Sequence, residues 1–344
     1  MKPIVAITMG DPAGIGPEVT VRALAHPQIY DRIIPLVVGD RATLEDAAQG
    51  CGLPLNFCTV EEGASLTCAG VPRLLEETCL RPSERVWGKV SASCGDAAYR
   101  YVDRAIKLAL SGKASAVVTG PLNKEALHLA GYPYSGHTEI LAARTNCSNY
   151  AMLLLSGHMR IIHVSTHVSL REACTCVNKM RVMQVIELAQ QAMRELGILH
   201  PKIAVAALNP HASENGLFGN EEQKEIWPAV IAMRERGYDV EGPLPPDTVF
   251  VKLSAGLYHI VVAMYHDQGH IPLKLCGFQM NPHTCHFDTM HGVNVTVGLP
   301  IIRTSVDHGT AYDRAGTFSA NEESMVEAIE TAATLIEGRR KSLV

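Results

Sequence analysis

Three histidines stand just past apolar, strand-like runs. His167 follows Arg160-Ile161-Ile162-His163-Val164, His211 follows Ile203-Ala204-Val205-Ala206-Ala207-Leu208, and His266 follows Val261-Val262-Ala263-Met264. In open α/β sheets, ligands bind beyond the carboxyl ends of strands. Neutral imidazole ligates zinc and other divalent ions, and three histidines with one open position is a catalytic rather than a structural arrangement. Three separate hydrogen-bonded histidines are the other reading that spacing leaves open.

Further residues suit other chemistry. Gly136-His137-Thr138-Glu139 precedes the helical pattern Ile140-Leu141-Ala142. A histidine and a hydroxyl at a helix N-terminus can hold an anion, because free N–H groups point outward there. Thr138 as an ordinary N-cap is the alternative. Asp247 lies in Gly242-Pro243-Leu244-Pro245-Pro246-Asp247, read as a proline-stiffened loop. Lys274 follows the His266 segment, Asn294 lies in a strand-like run, and Arg303 ends another.

Several elements must position these residues. Ile4-Val5-Ala6-Ile7-Thr8-Met9 reads as a strand running into Gly10-Asp11-Pro12-Ala13-Gly14-Ile15-Gly16-Pro17-Glu18 and then a helix. That turn is neither G-x-G-x-x-G nor a P-loop, so it supports no phosphate-cradling mechanism by itself. Strands are expected at 34–40, 116–120, 151–155 and 160–164, the last two paired. Helices are expected over 41–50, 91–110, 182–196 and from 321 onward, by their apolar spacing.

Composition narrows the class. The chain has 344 residues, 47% hydrophobic and 19% charged, which suits a well-buried globular enzyme. A net charge of −5 calls for neither nucleic acid nor anionic lipid. No apolar run approaches the ~20 residues that cross a bilayer. The start enters a strand directly, without a signal-peptide pattern, so a cytoplasmic protein is expected. Ten cysteines are scattered without a paired framework and are expected as reduced thiols.

The whole pattern resembles the 4-hydroxythreonine-4-phosphate dehydrogenases of pyridoxal phosphate synthesis and their close relatives. The likeness rests on Ile7–Glu18, Gly136–Glu139, Ser165-Thr166-His167, Asn209-Pro210-His211-Ala212, Tyr265–Gly269 and Arg303–Thr310. It implies a two-domain, three-layer α/β/α fold of the isocitrate/isopropylmalate dehydrogenase-like type, with a cleft between domains. Residues 1–135 plus 300–344 would form the cofactor-side domain, and 136–299 the metal, substrate and dimerisation domain. It implies a homodimer with the active site at its interface. One divalent ion (zinc, magnesium, manganese or cobalt) would sit on His167, His211 and His266. Substrate-binding positions fall on His137, Thr138, Lys274, Asn294 and Arg303. NAD would be bound through His308, Gly309, Thr310, Ala311 and Asp313. Asp247 and Lys274 are the catalytic candidates.

The implied reaction is NAD-dependent oxidation and decarboxylation of a 4-phosphorylated 3-hydroxy acid. The wording of Pro121–Gly131, Glu214–Gly219 and Gly269–Lys274 is closer to the branch that converts 4-phospho-D-threonate or erythronate to dihydroxyacetone phosphate and carbon dioxide. The vitamin-pathway amino acid 4-hydroxythreonine-4-phosphate is the alternative substrate. A cyclic diol carboxylate and a non-catalytic metabolite-binding role are further alternatives. Two departures stand out. Gln279–His291 is inserted before Gly292-Val293-Asn294 and reads as a polar surface loop, and Phe318 stands where a glycine is more usual.

Overall fold

The computed structural model describes residues 2–60, 71–282 and 286–341. The chain divides into two compact units, Met1–Ser148 with Leu299–Ile336 and Asn149–Gly298 with Glu337–Val344. His137 and Thr138 therefore fall in the first unit, not with residues 149–298. The fold is three-layer α/β.

Strands are numbered along the chain. The first unit holds β1 (Ile4–Thr8), β2 (Ile34–Asp40), β3 (Cys58–Thr59), β4 (Arg73–Thr78) and β5 (Ala116–Thr119). The chain then passes through the second unit. There it forms β6 (Ala151–Ser156), β7 (Met159–His163), β8 (Ile203–Ala206), β9 (Val240–Leu244), β10 (Ile260–Ala263), β11 (Phe278–Asn281), β12 (His286–Met290) and β13 (Val293–Val297). It returns to the first unit as β14 (Arg303–Val306).

The first unit's sheet runs β3-β4-β2-β1-β5-β14, parallel throughout. Val5, Ala6, Ile7, Val37, Val38, Val117 and Val118 are wholly buried. Apolar residues on both faces are what a parallel sheet covered on both sides demands. One covering helix, Ala92–Leu110, is capped by Ser91, whose hydroxyl accepts from Cys94 N at 3.2 Å. It buries Ala98, Val102 and Ile106, while Leu110, at the helix end, is exposed.

The second unit's sheet is mixed, in the order β13-β6-β7-β10-β8-β9. β6 pairs antiparallel with both β13 and β7, and β7-β10-β8-β9 are parallel. The β6–β7 pair is the hairpin the sequence predicts, closed by Gly157-His158. Leu154, Ile161, Ala204, Val261, Leu253 and Leu273 form the core beneath it. The Lys179–Glu195 helix, capped by Asn178, buries Val182, Ile186, Ala189 and Met193.

The structure corrects three local expectations. The insertion after Gly277 is an antiparallel ribbon, β11 with β12, rather than a loop; His283 and Cys285 lie outside the described residues. Asp247 sits in the first turn of the Pro246–Ser254 helix, because proline at a helix start supplies the right φ and lacks only an N–H that would be unpaired there. Cys58 is disulfide-bonded, so the thiols are not all reduced; Cys51, Cys79, Cys94, Cys147, Cys174, Cys176 and Cys276 are free.

Candidate active site

The first unit builds a cationic cluster from two adjacent strands and a helix start. Arg303 opens β14, in register with Val117 of β5, while Thr119 closes β5 opposite Ser305. Arg303 Nη2 donates to Thr119 Oγ1 at 2.7 Å, and the arginine is 3% exposed. Burial lowers the guanidinium pKa to about 9, while the nearby Glu139 carboxylate works the other way. It is therefore still charged at neutral pH.

The helix His137–Thr145 begins beside this arginine. Its N-cap is Gly136, with no side-chain cap. Thr138 is thus the second helical residue, buried, and not the N-cap. An uncapped first turn keeps its N–H groups available to an acceptor. His137 Nε2 is buried without a hydrogen-bond partner. Burial, and then the positive Arg303, push the His137 pKa well below the usual histidine range. At neutral pH the cluster offers one fixed cation, a neutral imidazole, a hydroxyl and helix N–H groups, a set suited to phosphate or carboxylate.

Below the same sheet edge in sequence, His308 to Gly316 forms a loop after β14. His308 Nδ1 bonds Gly309 O at 2.9 Å, so Nδ1 carries the proton. Its Nε2 is buried and unpartnered, and burial lowers the ring's pKa. Thr310 O accepts from Ile15 N at 2.9 Å. A Cβ on Gly14 would approach Thr310 Cβ to 2.9 Å, so glycine is what lets the two loops meet. Ala311 has φ 41°, and Asp313 is exposed. A neutral imidazole acceptor and an open backbone at Gly309, where a Cβ would meet nothing within 4 Å, fit a nucleotide's polar edge. Phe318 has φ 56°, the left-handed region that favours glycine. Its ring lies over Gly50 and edge-on to Trp87 at 6.0 Å, and its carbonyl accepts from Arg22 at 2.7 Å. Those contacts hold a conformation that phenylalanine alone disfavours.

The second unit carries the histidines. His167 is exposed, four residues beyond β7. His266 begins the His266–Gly277 helix, and the two rings are 5.7 Å apart. His266 Nδ1 bonds Asp267 Oδ1 at 2.6 Å, which lowers the carboxyl pKa and leaves Nε2 to ligate. Two further histidines, not assigned a role by the sequence, back this pair. His270 stacks on His266 at 3.6 Å and its Nδ1 bonds His266 O at 2.9 Å. His163 lies 5.0 Å from His270 and bonds Met152 O. Burial lowers His270 to about 3 and His163 to about 4. The signal for His270 was its i, i+4 spacing from His266, one helical turn.

His211 stands apart from this pair. It opens a run, His211 to Asn215, with φ between 47° and 63° at each residue. Such a left-handed turn of non-glycine residues costs roughly 1–2 kcal/mol per residue. Glu222, 2% exposed, anchors its entry by accepting from Leu208 N (2.9 Å), Asn209 N (2.7 Å) and Asn209 Nδ2 (3.0 Å). Gln268 ties the ends of β8 and β10 together: its Oε1 accepts from Met264 N and its Nε2 donates to Ala207 O, both at 2.7 Å. Among the described residues no three His, Cys, Asp or Glu side chains are grouped to hold a metal ion. The structure brings His167 and His266 together and does not bring His211 to them. In kind, the donors suit a divalent ion: imidazoles, one oriented by a carboxylate.

The other candidates are in the second unit too. Asp247 is exposed. Lys274 Nζ lies 5.5 Å from the Phe278 ring. Asn294, on β13 opposite Leu154, has a buried Oδ1 without a partner.

The chain is similar to known proteins along nearly its whole length. Residues 31–332 match the family model described as pyridoxal phosphate biosynthetic protein PdxA. The chain is 49% identical over 333 residues to a D-threonate 4-phosphate dehydrogenase of Salmonella typhimurium, covering 96% of this chain and 98% of the relative. It is 44% identical over 340 residues to a 4-hydroxythreonine-4-phosphate dehydrogenase of Trichlorobacter lovleyi, covering 97% and 98%. A crystal structure of the Klebsiella pneumoniae 4-hydroxythreonine-4-phosphate dehydrogenase superposes with a TM-score of 0.84 at 46% identity, covering 98% of both chains. A match across nearly the whole chain, at these identities, shows that this protein belongs to the PdxA family.

Proposed function

We propose that this protein is an NAD-dependent, divalent-metal-dependent dehydrogenase that oxidises and decarboxylates a 4-phosphorylated 3-hydroxy acid. The substrate in this reading is 4-phospho-D-threonate or the related erythronate, and the products are dihydroxyacetone phosphate and carbon dioxide. One observation carries the phosphate: buried Arg303, with His137 and Thr138, at an uncapped helix start.

In this reading, Arg303 holds the anionic group by charge-assisted hydrogen bonds, and Thr119 keeps its fork oriented. His137, neutral, donates or accepts one hydrogen bond without adding a second cation beside Arg303. Lys274 supplies a mobile ammonium toward the carboxylate or a proton to the product. Asn294 gives an amide to a substrate oxygen. Asp247 is the candidate base for the C3 hydroxyl proton, or the partner of the substituent at C2. His308, Gly309, Thr310, Ala311 and Asp313 would hold the adenosine end of NAD, and His167, His211 and His266 a divalent ion. When bound, NAD supplies the hydride acceptor and the ion supplies the Lewis acidity for an alcohol and a departing carboxylate.

The homodimer belongs to the same proposal. Ile271 and Leu275, one turn apart on the helix that begins at His266, are 65% and 81% exposed. Two large apolar side chains exposed one turn apart beside a candidate site support a surface that a second copy of the chain covers. A site at that interface would make the monomer inactive.

The relatives' names support both a hydroxy acid and an amino acid as substrate, and the more similar of the two relatives described is the threonate enzyme. NADH absorbance on metal-loaded protein tests the reading. Turnover of phosphorylated acids and none of their unphosphorylated parents is expected; turnover only of unphosphorylated diols overturns it.

A further inference from the structure

The glycine-rich segment after β1 has no role in the reading above, yet it carries two buried acids. Asp11 and Glu18 are both 0% exposed. Neither is paired with an arginine or lysine through a hydrogen bond described for it. Glu18 turns both oxygens, and Asp11 one of its two, to the loop that follows β14. Asp11 Oδ2 accepts from Tyr312 Oη at 2.7 Å, and its Oδ1 accepts from Ala13 N at 2.8 Å. Glu18 Oε1 accepts from Gly316 N at 2.8 Å, and Oε2 from Ala320 N at 3.4 Å. Ile15 N adds a bond to Thr310 O, and Arg22 one to Phe318 O. The 310–320 loop is thus held along its length by the Gly16–Leu24 helix and the turn before it.

Burying a carboxylate is costly unless its oxygens are bonded. Three of their four oxygens accept from backbone and hydroxyl donors of one loop and fix its path, while Asp11 Oδ1 braces the acid in its own turn. The loop contains two non-glycine residues at positive φ, Ala311 and Phe318, and would not keep those conformations unaided.

We infer that Asp11 and Glu18 are positioning residues for the cofactor, acting through the 308–318 loop. The inference rests on the reading of that loop as the site for the adenosine end of NAD. Neither acid touches the reacting atoms, so the effect falls on cofactor affinity. Glu18→Gln keeps the shape but turns an amide N–H toward one of two backbone N–H donors. Tyr312→Phe removes one oxygen and leaves the ring in place.

The test is NADH binding by fluorescence titration on full-length, metal-loaded protein, with steady-state kinetics alongside. For Glu18→Gln the expected result is an NADH Kd and an NAD KM raised about tenfold or more. Its kcat at saturating NAD and its KM for the phosphorylated acid stay within about twofold of the parent. Tyr312→Phe should weaken NADH in the same direction by several-fold, and answers the question if Glu18→Gln does not fold. Saturable NADH binding by the parent with unchanged affinity in the folded variants overturns this inference alone. A parent that binds no NADH overturns the cofactor reading with it. A kcat that falls with KM unchanged also contradicts a positioning role.

Discussion

Arg303 donates from Nη2 to Thr119 Oγ1 at 2.7 Å, linking the first residue of β14 to the last of β5. Parallel neighbours in register make this possible, since Ser305 lies opposite Thr119 and Arg303 reaches two residues along. The guanidinium is thereby fixed in a buried place where a flexible ammonium would not be.

Replacing that fork should be costly for substrate and mild for fold. Arg303→Lys retains charge but loses planar, bidentate geometry. We expect its KM for a phosphorylated acid to rise about 10- to 100-fold. Thr119→Val removes only the hydroxyl and should lower stability by about 1–3 kcal/mol through an unpaired buried donor. Initial rates and urea melts on both variants check this; an unchanged KM in Arg303→Lys would remove the arginine from the anion site.

Stability should depend on pH through buried histidines. His137 and His308 are held below the ordinary range by burial, and His163 at about 4. The unfolded chain takes up these protons first, near pH 6.5. Between pH 6.5 and 4 it therefore binds more protons than the folded chain, and stability falls as pH falls. At pH 5.5 the His163 contribution alone costs about 1 kcal/mol, and His137 and His308 act in the same direction. Urea midpoints of metal-free protein at pH 7.5 and 5.5 should show the loss, and His163→Gln should reduce it. Equal midpoints at the two pH values would contradict the buried, neutral assignment.

Glu222 and His211 separate scaffold from ligand. Glu222→Gln leaves one of the three donors at the turn's entry facing an N–H. It should destabilise the protein by about 2 kcal/mol and weaken metal binding as the His211 turn loosens. His211→Ala should lower metal content, measured by elemental analysis after dialysis, without moving the melting temperature of the metal-free protein. Full metal content and full activity in His211→Ala would remove it from the ligand set.

Much of this was legible in the sequence where local pattern and global fold agree. β1, β2 and β5 are apolar along most of their length because a parallel sheet covered on both faces favours it, with polar Thr8, Asp40 and Thr119 only at their last residues. His167 and His266 follow strands, and the structure sets their rings 5.7 Å apart. Other features depend on partners distant in sequence. No residue from His211 to Asn215 favours left-handed backbone strongly enough to announce the turn, and its anchor, Glu222, comes eleven residues after His211. Nothing local in the sequence marks Gln268 as the residue that joins two strand ends. Consecutive prolines at 245 and 246 suit a stiff loop and a helix start equally, and Pro246 starts a helix. The β11–β12 ribbon was obscured by its polar composition, since pairing satisfies backbone groups whatever the side chains.

The central claim concerns the acid itself, and one comparison tests it. On the same metal-loaded preparation with saturating NAD, kcat/KM is measured for 4-phospho-D-threonate and for 4-hydroxythreonine-4-phosphate, following NADH and dihydroxyacetone phosphate or its amino counterpart. The account predicts a higher kcat/KM for the hydroxy acid, with NADH and dihydroxyacetone phosphate formed in equal amounts. A clear preference for the amino acid would contradict it and place this chain with the vitamin-pathway enzymes.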